Sequence, residues 1–176
     1  MANPEHVALA LAGSDQVAEW RRKHPGLRFN LGYTRLPGID LSGAPLNSVL
    51  LADTDLRGAS FVSADLRDAA MWGTNLEGAN LDRANLCDAD LSNANLRSAK
   101  AMGVDFRNAN LARIDAVGAD FRNANFEGCN LAGADLRGCN PRGARFGGAV
   151  VDAKNRAFLE SCSDVVLEGV EWFDKA

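Results

Sequence analysis

The chain repeats itself every five residues, and that period leaves few folds open to it. From Leu41 to Leu136, eighteen of the twenty residues at that spacing are Leu, Phe or Met. They include Leu56, Leu66, Leu76, Leu86, Leu96, Phe106, Phe121, Phe126 and Leu136, which form the expected structural core. This large apolar position is termed the centre. Two residues before it stands a small side chain, Ala at fifteen of the twenty-two places from Ala44 to Ala149. Asp or Asn usually precedes the centre directly, and the phase never slips for more than a hundred residues. At the two Ala centres, Ala101 and Ala116, the small positions nearby carry the bulkier Val104 and Ile114, so local volume is conserved.

Neither a helix of period 3.6 nor a strand of period 2 places such a pattern on one face. A chain that turns a corner every five residues does. Each segment then sends one large and one small side chain inward. Asp and Asn beside the corner accept backbone hydrogen bonds. Gly after it (Gly58, Gly73, Gly78, Gly118, Gly128, Gly133, Gly138) tolerates unusual backbone angles.

Ala-Asp-Leu-Arg-Asp (64–68), Ala-Asn-Leu-Asp-Arg (79–83), Ala-Asn-Leu-Cys-Asp (84–88), Ala-Asp-Leu-Ser-Asn (89–93) and Ala-Asp-Leu-Arg-Gly (134–138) resemble the motifs of the pentapeptide-repeat family. The resemblance covers roughly residues 31–151 and implies an all-β solenoid, a right-handed quadrilateral β-helix with four pentapeptides per coil. Twenty-five centres from Leu31 to Val151 then make about six coils, a rod roughly 30 Å long at about 4.8 Å per coil. Residues twenty apart share a face. Phe106, Phe126 and Phe146 should stack inside, as should Thr34, Thr54 and Thr74 at the small position.

A solenoid needs caps at both ends. Residues 1–30 read as a helical N-terminal cap. Asn3-Pro4 starts one helix, Gly13-Ser14 interrupts it, and Ser14 caps a second that runs to about Lys23. Val7, Leu11, Val17 and Trp20 should cover the first coil. Residues 152–176 read as a C-terminal cap. A short helix over 153–162 turns Phe158, Leu159 and Cys162 to one side. A closing strand with Val165, Leu167, Val170 and Trp172 follows, one residue out of phase.

Chemistry for catalysis is missing from the pattern. The two histidines, His6 and His24, lie outside the repeats, and no phosphate loop, nucleophile elbow or calcium loop is present. The expectation is a non-enzymatic protein with no cofactor and no metal. The cysteines, Cys87, Cys129, Cys139 and Cys162, lack metal-ligand spacing and suit a reducing cytoplasm. Cys129 and Cys139 should pack inside, and Cys87, just after a centre, should be exposed. A formal net charge of −4 argues against direct nucleic-acid binding, and no apolar run reaches membrane-spanning length.

Only the outside of such a rod is left for work. Three faces carry mixed charge. The fourth shows Leu50 and Ala52, Ala70 and Trp72, Asp90 and Ser92, Asn110 and Ala112, Asn130 and Ala132, with Val150 at its end. Depletion of charge around an aromatic anchor marks an interface. The candidate partner-binding residues are Leu50, Ala52, Ala70, Trp72, Ser92, Ala112, Ala132 and Val150, and the expected occupant is another protein or a second copy in a homodimer. The family resemblance also implies an alternative, mimicry of DNA toward a type II topoisomerase, as in members that protect gyrase from quinolones. Residues 39–152 hold fifteen acidic and eleven basic side chains, with Arg interrupting any acidic stripe, so this is the second reading.

Overall fold

In the computed structural model, which describes residues 1–173, the chain climbs a square staircase. Residue i pairs in parallel with residue i+20 on all four sides, from Asn30↔Leu50 to Asn125↔Arg145. Each side is joined to the coil above by backbone bonds such as Leu56 N–H to the Asn75 carbonyl and Gly58 N–H to the Glu77 carbonyl, at 2.8 and 2.9 Å. Between sides the Ala59 N–H closes a turn on the Leu56 carbonyl, and Gly58 at its third position has φ of 65°. A turn of this kind requires φ above zero there. The same backbone conformation recurs every five residues, in Gly where the sequence offers it and in side-chain-bearing residues such as Asp68, Arg83 and Asn108 where it does not.

The interior is solid. Leu56, Leu66, Leu76, Leu86, Leu96, Phe106, Phe121, Phe126 and Leu136 are all buried, as are the Ala residues between them. The rings of Phe106 and Phe126 stack at 5.1 Å and those of Phe126 and Phe146 at 4.7 Å. Thr54 and Thr74 point inward and donate to the Leu31 and Leu51 carbonyls one coil below, at 3.1 and 2.8 Å. Their hydroxyls therefore satisfy buried backbone acceptors.

Helices α1 (Pro4–Ala12) and α2 (Ser14–Lys23) cover the first coil. Two expectations about them are corrected. Gly13, at φ of 109°, occupies the cap position of α2, and Ser14 is the first helical residue, because the reversal between the helices needs a backbone that only Gly adopts freely. Leu11 is 67% exposed, and His6 and Ala10 take the inward positions instead. The register of α1 follows from His6, whose ring stacks on Phe29 at 4.6 Å and meets Trp20 edge-on.

At the other end the short strands β1 (Asn130–Leu131), β2 (Val150–Asp152) and β3 (Glu171–Phe173) form a three-stranded parallel sheet. A 3₁₀ turn over Ala153–Asn155 leads into helix α3 (Arg156–Ser161), with Leu159 buried under it. The spacing then widens to twenty-one, as Arg145↔Val166 and Val150↔Glu171. Trp172 is clasped by the Arg156 guanidinium 5.3 Å from its ring. Residues 174–176 of the expected cap lie outside the described residues.

Candidate interaction surface

The outward side chains are ordered by the turn that sets the core. At seventeen sides, the Asp or Asn before the centre accepts the N–H two residues on. Where that second residue is Arg, its side chain folds back onto the same carboxylate. Asp55 with Arg57, Asp65 with Arg67, Asp105 with Arg107, Asp120 with Arg122 and Asp135 with Arg137 are paired at 2.6–2.8 Å. The arginine fork holds the carboxyls of Asp55 and Asp135 down to about 2. These pairs lie on the three mixed-charge faces, so much of the acidity there is cancelled within single repeats.

Among the described residues the fourth face lacks such pairs. Trp72 is 38% exposed and meets Tyr33 edge-on, with ring centroids 6.0 Å apart. Leu50, Ala70, Ser92, Ala112, Ala132 and Val150 form a half-buried floor beside it. Ala52 does not belong to the accessible set. It is 7% exposed, enclosed between Gly32 one coil below and Trp72 one coil above. Along the edge of the floor, Asn110 donates to Asp90 at 3.0 Å and Asn130 to Asn110 at 3.3 Å, a ladder of side-chain amides. Beyond Ala132 the exposed ring of Phe173 closes a depression of about 480 Å³ that also includes Arg113.

Of the residues of this face that stand two positions past a centre, Tyr33, Asp53, Asn93 and Arg113 are exposed. A reading confined to the residues flanking each centre passes over them. Their signal in the sequence is the twenty-residue spacing that places Tyr33, Asp53, Gly73, Asn93, Arg113 and Gly133 in one column.

Cys87 is 8% exposed, against the expectation of an accessible thiol. Arg67 and Arg107, one coil below and one above, line its surroundings with the Asp105 carboxylate, and burial raises the thiol above its ordinary range. Cys129 and Cys139 are interior, and burial pushes both up to about 12. Such thiols are protonated and unreactive at neutral pH. Among the described residues no group of three His, Cys, Asp or Glu side chains is placed to hold a metal ion. No helix among them is long and apolar enough to cross a membrane. A depression of about 730 Å³ lies where α1 meets the first coil, lined by Val7, Leu11, Leu36 and Ile39 together with Arg35 and Asp40.

The family model described as Pentapeptide repeats matches the sequence in eight copies over residues 45–82, 64–108 and 105–140. No curated protein matches the chain. Among solved structures, HetL of the cyanobacterium Nostoc sp. strain PCC 7120, a pentapeptide repeat protein involved in regulating heterocyst differentiation, aligns at 27% identity and TM-score 0.59. The alignment covers 82% of this chain and 76% of HetL. A pentapeptide repeat protein of the Arabidopsis thaliana thylakoid lumen aligns at 29% identity and TM-score 0.47, over 76% and 79% of the two chains. A second Nostoc pentapeptide repeat protein aligns at 27% identity and TM-score 0.46, over 62% and 84%.

Proposed function

Because the chain belongs to the pentapeptide-repeat family and its interior is filled by its own side chains, we propose that it is a non-enzymatic scaffold that binds another protein through the outside of the coil. The contact is the face that carries Trp72. One observation supports this choice above the others: two aromatic rings, Tyr33 and Trp72, stand exposed on the one face without internal Asp–Arg pairs. Aromatic anchors beside small, uncharged neighbours release well-packed apolar area on docking without stripping water from ion pairs.

Capture on immobilised protein, followed by a titration of the purified partner, tests the proposal. Trp72→Ala should weaken binding by about 2 kcal/mol, a factor of roughly thirty, with the melting curve nearly unchanged. Equal affinity of the two forms would remove this face from consideration.

Mimicry of DNA toward a topoisomerase is the weaker reading. A DNA-like surface needs free carboxylates at phosphate-like spacing, and five of the aspartates that line the rod are neutralised by their own arginines. A supercoiling assay with gyrase decides it, and no effect at micromolar concentration dismisses it.

A further inference from the structure

The Trp72 face carries one exposed acid and one exposed base in the same column, and neither has an opposite charge within salt-bridge distance among the described residues. Asp53 and Arg113 both follow their centres by two. Between them lie Gly73 and Asn93, so three rungs separate the charges, about 14 Å at about 4.8 Å per rung. A two-fold contact lays a patch on its own reverse, so an acid and a base in one column can pair reciprocally across an axis placed midway between them.

Consider an axis that lies in the face, perpendicular to the rod, midway between the rungs of Gly73 and Asn93. It sets a second copy antiparallel to the first. Asp53 then meets the partner's Arg113, and Arg113 meets the partner's Asp53. In the column beside it, Trp72 comes opposite the partner's Ser92, and Ala52 opposite the partner's Ala112. Tyr33 comes opposite the partner's Gly133. Along the far edge, Leu50 comes opposite the partner's Asn110, and Ala70 opposite the partner's Asp90. Trp72 and Tyr33 each find a small residue across from them, and no rung sets like charges directly against each other. The Trp72 ring meets Tyr33, two rungs below, at 6.0 Å, so it leans down its column and enters the partner over the step from Ala112 to Ser92.

We propose that the occupant of this face is a second copy of the chain, held antiparallel by two Asp53–Arg113 pairs and the reciprocal insertion of Trp72. The proposal rests on the reading of this face as a protein contact and names the partner. The contact is small. Six rungs of one side measure roughly 30 by 10 Å, about 300 Å² per copy, against about 800 Å² in a standard stable interface. The dimer is therefore weak and strengthens with local concentration.

Sedimentation velocity from about 10 µM to about 1 mM, the range suited to so small an interface, provides the test. The wild-type protein should shift from monomer toward dimer across that range, less so at high salt. Asp53→Arg and Arg113→Asp each set like charges across both contacts, so each alone should stay monomeric while melting like the wild type. An equimolar mixture of the two variants regains both opposite-charge contacts and should dimerise, and so should the chain carrying both substitutions. A wild-type monomer at every concentration, single variants that still dimerise, or a mixture that stays monomeric would each overturn the antiparallel pairing. If the wild type is monomeric yet Trp72→Ala still abolishes capture of a different protein, self-association fails and the broader reading of the face stands.

Discussion

A single rule, repeated, governs the residue scale: the side chain before the centre accepts the N–H two positions on, and the residue after that takes a left-handed backbone. The first half of the rule is visible in the sequence as Asp and Asn in step with Leu. The second half is visible only where Gly marks it. Arg83 holds φ of 59° although no Gly-like residue announces the bend. An L-residue with a long side chain is disfavoured there by about 1–2 kcal/mol. The Arg83 side chain is exposed and has no ion-pair partner among the described residues. Arg83→Gly should therefore stabilise the fold, by about 0.5–1 kcal/mol once the greater chain freedom of Gly in the unfolded state is subtracted. Chemical denaturation measures this, and a destabilised variant would show that the Arg side chain contributes packing that its exposure does not reveal. Cys87 marks where reading residue types stops working. Its position alone says outward, but two long neighbours in the same column cover it, and coverage depends on which residues stand twenty away.

At the scale of elements, the coil supplies its own pattern, but the caps must meet it with groups of a different kind. Arg21 of α2 donates to three carbonyls of the first coil and its approach, those of Leu27, Pro45 and Asn47. His6 of α1 accepts the Asn30 N–H through Nδ1 at 2.7 Å, between Phe29 and Trp20. Helix positions were legible from Pro4, Gly13 and Pro25-Gly26. The latch was not, because nothing in the sequence pairs a histidine at position 6 with a backbone N–H twenty-four residues later. The latch needs Nδ1 unprotonated. Burial lowers the His6 value from its ordinary 6.5, against a smaller opposing pull from Glu5, while Arg21 and His24 reinforce the lowering. Around pH 6.5 the unfolded chain therefore holds more protons at this site than the folded one. The stabilisation is present above that pH and is lost as pH falls through the depressed folded value. Acidification from pH 7.5 to 5 should loosen the N-terminal cap before the coil, reported by Trp20 emission in a variant lacking Trp72 and Trp172. His6→Gln, whose carbonyl can accept the same N–H at any pH, should flatten that response. An unchanged slope in His6→Gln would place the titration elsewhere.

For the molecule as a whole, each coil touches only the coils above and below, so stability is a sum of rungs and the ends decide where unfolding begins. The two ends are unequal. The N-terminal cap buries Val17 and Trp20 and ties itself to the coil through Arg21 and His6. At the C-terminal end, Val165, Leu167, Val170 and Trp172 are only partly buried, and the spacing of twenty-one breaks the register that aligns every other rung. That slip was readable in the sequence as a phase shift, whereas the looseness of the packing depends on how the four side chains land on Phe146 and Val151. The three tryptophans mark the N-terminal cap, the third coil and the last rung. In urea, with single-tryptophan variants that replace the other two by Phe, Trp172 should report its transition first, and Trp20 and Trp72 together at higher denaturant. Leu86→Ala leaves a hole in the middle of the rod and should cost about 2–5 kcal/mol. It should move the Trp20 and Trp72 curves to lower urea while leaving the early Trp172 curve in place, because the last rung detaches without reference to the third coil. Three coincident curves that move together under Leu86→Ala would mean instead that the backbone ladders bind the caps and all the coils into one cooperative unit.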